Sequence, residues 1–314
     1  MDASSKEALL RDAQDHVSRT ASAVEKSIPA YEKDIANILG DLKRGGASAT
    51  PVSQALLALK QRHLEHLERA KSSPYFARCD VDIQGESGRQ TLYFGKFSLP
   101  DLAIYSWATP AARIRFNEPG AFSYVSETDK NVTGDLQRVD QYLIAQKHIR
   151  FMSTTTNGEA RTLVYQEKFS THKSEFMLPE IVASMEKAQD DIIRADAFGS
   201  FLISGPAGSG KTPLALHRIA YLLQAPEHAE QFDARTILVL VQDAHSKKYF
   251  ESLLPSLGIM DVGISTFDIW AMDLLGIKKG TYVPQYGHTE RERDLLVASK
   301  YRALQGSVEY GKDH

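Results

Sequence analysis

Eight consecutive residues, Gly205-Pro206-Ala207-Gly208-Ser209-Gly210-Lys211-Thr212, carry the strongest chemical signal in this chain. Glycines at 205, 208 and 210 let a backbone turn tightly and bring its N–H groups against a phosphate, where a Cβ would intrude. The Lys211 ammonium suits the space between a β- and a γ-phosphate, and the Thr212 hydroxyl is the expected Mg²⁺ ligand. Pro213 falls in the first helical turn, where a missing N–H costs little. Pro206, Ala207 and Ser209 complete the backbone of the loop. The spacing therefore predicts binding of ATP or GTP with Mg²⁺. The competing reading is a glycine-rich turn between a strand and a helix, with no ligand.

Such a loop has to be held by a strand before it and a helix after it. Ser200-Phe201-Leu202-Ile203-Ser204 reads as a short buried strand. Leu214, Leu216, Ile219, Ala220, Leu222 and Leu223 recur at helical spacing beyond the loop. Downstream, the continuous apolar run Thr236 to Val241 predicts a fully buried strand. A helix is expected over Ala244 to Leu254 and a third strand over Val262 to Ser265. Strand–helix alternation with apolar strands predicts a parallel sheet covered on both faces. A helix over about Glu180 to Ala195 precedes the loop. Further helices are expected over Phe267 to Leu275 and Glu290 to Leu304.

The N-terminal portion reads differently. Ser4 and Glu7 suggest a capping box. Leu10, Val17, Val24, Tyr31 and Ile38 interleave with Ala21, Ile28, Ile35 and Leu42 at heptad spacing. Pro29 should kink this helix without ending it. After the turn at 45–49, Thr50 and Pro51 look like the cap and first residue of a second helix, with Leu56, Leu59, Leu67 and Ala70 on one face. The two helices make an antiparallel hairpin, read either as a dimerisation coiled coil or as an arm reaching into a partner. From Ser72-Ser73-Pro74 the period falls to two. Strands are expected over 76–83, 90–97, around Ile104, 114–116, 122–125, 136–144, 149–153 and 163–165, making a small antiparallel β domain. Its aromatics read as core rather than as a base-stacking platform. The predicted organisation is multi-domain α/β: hairpin at 1–73, β domain at 74–175, and a partial RecA-like P-loop domain at 176–314.

The 314 residues are 42% hydrophobic and 25% charged, with a formal charge of −3, so no global basic footprint points to nucleic acid. The single Cys79 excludes an intrachain disulfide and a Cys-based zinc cluster, and reads as a small core residue. No apolar run reaches membrane-spanning length and the N-terminus is unlike a signal peptide, so a cytoplasmic location is expected.

The segment from Ile181 to Ala195, the loop, and Ala215 to Leu223 together resemble the UvrD/Rep-like superfamily 1 helicases. Within them the chain resembles the HelD (helicase IV-like) subgroup. Ser73 to Asp80 and Leu92 to Lys96 are similar to the subgroup's β module, and Leu254 to Gly258 with Thr266-Phe267 to the stretch after its motif Ia. The resemblance implies that Gln189 is the Q-motif glutamine, whose amide both donates to and accepts from adenine and so selects ATP. It implies a protein that couples ATP turnover to movement on nucleic acid. HelD-like proteins bind bacterial RNA polymerase, place the hairpin in its secondary channel and release stalled complexes from DNA. The resemblance thus favours the arm reading of the hairpin.

Three departures stand out. The subgroup's Asp-Trp-Arg-Ala-Pro run is Ser106-Trp107-Ala108-Thr109-Pro110 here, without its charges. Pro213 is unusual after the loop threonine. No apolar strand after Val241 ends in the paired acids that position Mg²⁺ and water, since Asp243 and Asp261 stand alone, and no arginine finger is present. The chain is thus expected to be an N-terminal portion, or a shortened relative, that binds ATP with little turnover. The second hypothesis is a nucleotide-switched, non-hydrolysing module docking on RNA polymerase or another protein through its hairpin. A third, an unrelated P-loop enzyme such as a small-molecule kinase, lacks any signal for an acceptor site or lid.

Overall fold

The protein is described by a computed structural model over residues 1–43, 51–166, 186–206, 208–228 and 231–277. Helix α1, Ala3–Lys43, is continuous through Pro29 and, at 1.5 Å per residue, about 60 Å long. Its start is capped by Asp2, whose Oδ1 accepts from the Ser5 amide at 2.8 Å, rather than by the expected Ser4. Val17, Ala21, Val24, Ile28 and Ile35 of the heptad pattern are buried.

Helix α2, Pro51–Ala70, returns beside α1. Tyr31 meets His63 at 4.5 Å between ring centroids and Asp34 pairs with Lys60 at 2.8 Å, so the two helices run antiparallel. Leu67 and Ala70 are buried as expected, but Leu56 and Leu59 are exposed. The half-buried positions in the first part of α2 are instead Ser53, Leu57 and Lys60. A helix opposed by one partner buries only a narrow stripe, so leucines one residue off that stripe stay in water.

Seven strands follow: β1 Ala77–Ile83, β2 Gln90–Gly95, β3 Ile104–Ser106, β4 Gly120–Val125, β5 Asn131–Ala145, β6 His148–Thr156 and β7 Thr162–Gln166. They form one sheet in the order β3-β2-β1-β5-β6-β7, with β4 also on β5. The long β5 takes β4 along its first six residues and β6 along most of the rest. The sheet is mixed rather than antiparallel, because β2 and β3 pair in parallel. The link between them, residues 96–103, is long enough to swing the chain round; it contains a 3₁₀ turn at Pro100–Leu102 and Ala103 at φ 52°. The strand expected over 114–116 is instead the end of a 3₁₀ helix, Pro110–Phe116. Pro110 pre-sets a helical φ, and Ala112, Ile114 and Arg115 are buried from that conformation.

The hairpin and the sheet share one core. Val17, Val24, Ile28, Leu67 and Ala70 from the helices pack with Tyr75, Leu99, Ile104, Tyr142, Ile149 and Met152. Cys79 lies in the sheet, fully buried, and burial pushes its thiol well above the ordinary range. Most of the predicted aromatic core is buried, Tyr105 being exposed.

Beyond the sheet come α3 Lys187–Ile193, α4 Lys211–Gln224, β8 Leu238–Val241, α5 Ala244–Ser256, β9 Gly263–Thr266 and α6 Phe267–Leu274. The buried strand expected at 200–204 is not formed. That stretch is irregular, and Phe201 and Leu202 are exposed. β8 is a strand, but among the described residues it pairs only with β9, and Leu238 and Leu240 are exposed. An apolar run becomes a buried parallel strand only with neighbours on both edges and helices on both faces. Among the described residues 200–204 has no such neighbours. Of the helix expected over 180–195, residues 180–185 lie outside the described residues and the rest is helical from Lys187 to Ile193; the helix expected over Glu290 to Leu304 also lies outside them.

By chain contacts the molecule divides into one unit of residues 1–239 and 248–263, and a second of 240–247 and 264–314. In the second, Asp243 Oδ1 accepts from the Ser246 amide at 2.7 Å at the start of α5, and Phe267 and Trp270 of α6 meet at 5.6 Å.

Candidate functional site: the glycine loop and its flanking helices

Three loop residues occupy backbone that side chains avoid: Gly205 at φ 158°, Gly208 at 78° and Gly210 at 80°. Around Gly208 and Gly210 an added Cβ would meet nothing within 4 Å, so it is backbone conformation that demands glycine there. At Gly205 a Cβ would sit 2.9 Å from Ser209 Oγ. Gly210 is the N-terminal cap of α4 in a left-handed conformation. The helix then opens with Lys211 and Thr212, whose N–H groups belong to the first turn and have no partner within the helix. The Thr212 side chain is exposed.

Lys211 folds back over the loop. Its Nζ donates to the Gly205 carbonyl at 2.9 Å and the Pro206 carbonyl at 2.6 Å. Those carbonyls hold the ammonium against the loop backbone, where a phosphate would compete for it. A glycine-permissive turn, first-turn amides and a cation held by carbonyls alone fit the phosphates of a nucleotide. When bound, the nucleotide would supply the phosphoanhydride and Mg²⁺ the charge neutralisation. The chain's own contribution is the loop backbone, Lys211 and the Thr212 hydroxyl. Ala207 lies outside the described residues.

Gln189 sits on α3, and its described role is local. Its Oε1 accepts from the Glu186 amide at 3.1 Å, and the Glu186 carboxylate caps the helix in return. Half the amide of the expected adenine reader is therefore engaged in a capping box.

The helix pair α3–α4 is clamped by arginines that sequence reading passed over. Arg218 of α4 donates to the carbonyls of Ile193 at 3.0 Å, Ala195 at 2.9 Å and Asp196, closing the C-terminal end of α3. Arg194 donates to the carbonyls of Trp107 at 2.6 Å and Ala108 at 3.1 Å. Its Nε also lies 3.0 and 2.9 Å from the two oxygens of the fully buried Asp190, which Arg113 approaches at 3.4 Å. Burial pushes the neighbouring Arg115 down to about 10, with Asp190 opposing the shift, so it stays charged at neutral pH. The i,i+4 spacing of Asp190 and Arg194 was the available signal. Arg113, the second arginine on Asp190 and distant in sequence, was not readable.

Trp107 does more than fill the core. Its indole lies against His217 at 6.1 Å and Tyr221 at 6.3 Å, and its Nε1 donates to Gln224 Oε1 at 3.2 Å. The Trp of the altered Ser-Trp-Ala-Thr-Pro run thus docks on the helix that begins at Lys211. His217 is fully buried; its Nδ1 lies 2.7 Å from the Pro213 carbonyl, and burial holds its pKa below the usual imidazole range.

Among the described residues no acid pair stands beside the loop. Asp243 is a helix cap, and Asp261 occupies a turn at φ 63°. Among the described residues no group of three or more His, Cys, Asp or Glu could hold a metal ion. Nor is any helix among them long and apolar enough to cross a membrane.

No curated protein matches the sequence. Residues 10–163, most of the hairpin and the sheet up to β7, match the family described as DNA helicase IV HelD, N-terminal domain, so the chain carries a HelD-like N-terminal region.

Proposed function

We propose that this chain is the ATP-binding N-terminal part of a HelD-like superfamily 1 ATPase acting on nucleic acid or on RNA polymerase complexes. The observation that carries the reading is the loop itself: three glycines at positive φ running into a helix that opens with Lys211 and Thr212. It lies on the same chain as a HelD-like region, which makes ATP and Mg²⁺ the nucleotide and metal of choice. Lys211 neutralises the β- and γ-phosphates, Thr212 ligates Mg²⁺, and Gln189 selects adenine. The nucleic-acid and polymerase roles rest on the family resemblance and on the antiparallel helical hairpin. Release or recycling of stalled transcription complexes, in the cytoplasm, is the activity that fits both.

Asp243 serves as a cap and no acid pair stands at β8, so ATP·Mg²⁺ is held without efficient water activation by the described residues. That favours a second reading, in which nucleotide only switches a module docking on RNA polymerase, or on another protein, through its hairpin. Calorimetric titration with ATP·Mg²⁺ and a phosphate-release assay on one sample test both. Micromolar binding with slow release supports the proposal. Full-rate hydrolysis would contradict the switch reading, and absence of binding would contradict both.

A further inference from the structure

The loop helix is anchored at its far end as firmly as at its start. Gln224 closes α4, about 20 Å from Lys211 at 1.5 Å per residue. Its side-chain amide is used at both ends: Oε1 accepts from Trp107 Nε1 at 3.2 Å, and Nε2 donates to the Leu257 carbonyl at 2.9 Å. Gly258, next in the chain, leaves no slack. At its φ of 76° a Cβ would lie 2.8 Å from Phe97 Cε1 and 3.1 Å from Gln224 Nε2. Phe97 in turn stacks on His66 of α2 at 4.3 Å and 10°, and Arg69 of α2 donates to the Pro255 carbonyl. Five segments therefore meet in one close-packed junction: the end of α4, the turn after α5, the β2–β3 connection, the stretch after β3 that carries Trp107, and the base of the hairpin.

We propose that this junction makes the hairpin respond to nucleotide at the glycine loop, with Gln224 and Trp107 as the positioning residues. The inference rests on the nucleotide reading given above. In the structure Lys211 Nζ is held by the carbonyls of Gly205 and Pro206. A triphosphate competes for that ammonium, so the loop and the first turn of α4 reset on binding. A 14-residue helix moves as a rigid rod, and a displacement at its start reaches Gln224. There the contacts are backbone carbonyls and aromatic rings packed at van der Waals distance, which shift together rather than yield. By linkage the effect is reciprocal: a partner that holds the hairpin in its nucleotide-bound attitude tightens nucleotide affinity by the same factor.

The test is a distance measurement between spin labels on Leu56→Cys in α2 and Val125→Cys in β4, both exposed positions, with the native Cys79 buried. Spectra of the intact chain are taken with and without a saturating non-hydrolysable ATP analogue and Mg²⁺, and binding is confirmed by calorimetry on the same sample. Leu56 lies about 21 Å along α2 from Ala70, so a 5° tilt moves it on the order of 2 Å. A shift of that size is expected in the parent chain and its loss in Gln224→Ala. Trp107→Phe, which keeps the ring and removes the donor, should also lose it while binding the analogue within roughly three-fold. Binding with an unmoved distance overturns the inference alone, as does a full shift in both variants. No binding by the parent chain overturns the nucleotide reading and the inference with it.

Discussion

At the residue scale the loop was the most legible feature, because its demands fall on single positions. Gly208 and Gly210 take left-handed backbone, and no side chain is tolerated there at low cost. The capping role of Gln189 was less legible. Resemblance marks it as an adenine reader, while the structure shows its Oε1 on the Glu186 amide. The two roles predict different variants. Gln189→Ala should erase most of the preference for ATP over GTP and cost about 0.5–1 kcal/mol in stability through the lost cap. Competitive titration with both nucleotides checks the first and thermal unfolding the second. An unchanged nucleotide preference would leave Gln189 as a cap only. The place of Arg113 beside the Asp190–Arg194 pair was invisible in sequence, since an ion cluster assembled from two segments has no local spacing.

At the element scale, legibility followed length and periodicity. The heptads of α1 and the alternation of β5 and β6 survive because dozens of residues repeat one instruction. Short runs such as 114–116 and 200–204 carry only a few residues of signal, and their fate was set by Pro110 and by the absence of pairing neighbours. The hairpin shows a further property. His16 stacks on Tyr93 at 4.4 Å and His66 on Phe97, while His63 meets Tyr31 at a tilt. Burial depresses all three pKa values, that of His66 to about 4, with Arg19 and Arg78 adding to the effect at His16. Above about pH 6.5 these rings are neutral in both folded and unfolded states, so the stabilisation is complete. As pH falls from 6.5 towards 4 the unfolded chain takes up protons that the folded chain refuses, and stability is lost. Melting temperatures should therefore drop between pH 7 and pH 5, and His66→Phe should flatten the drop. An equal drop in that variant would show that other groups control it.

At the scale of the whole molecule, the hairpin was expected as a separable arm, yet its base belongs to the core of the sheet. Val17, Val24, Leu67 and Ala70 pack with Tyr75, Ile104 and Met152. Deleting the entire hairpin would strip that core, so only its distal part makes a clean probe. Replacing residues 36–58 by a short Gly-Ser turn keeps the Tyr31–His63 and Asp34–Lys60 contacts. The account expects this shortened chain to fold, to bind nucleotide as before and to lose capture of purified bacterial RNA polymerase. Undiminished capture would end the arm reading. Composition and charge gave no hint of this shared core, because a helix packed on a sheet and a helix packed on its own copy use the same heptad pattern.

The most direct measurement is calorimetric titration of the intact chain and of Lys211→Ala with ATP·Mg²⁺ at neutral pH. Micromolar affinity is expected in the parent and a loss of tenfold or more in the variant, with unchanged melting of the free protein. Equal affinity in the two proteins, or no heat of binding in either, would contradict the nucleotide reading.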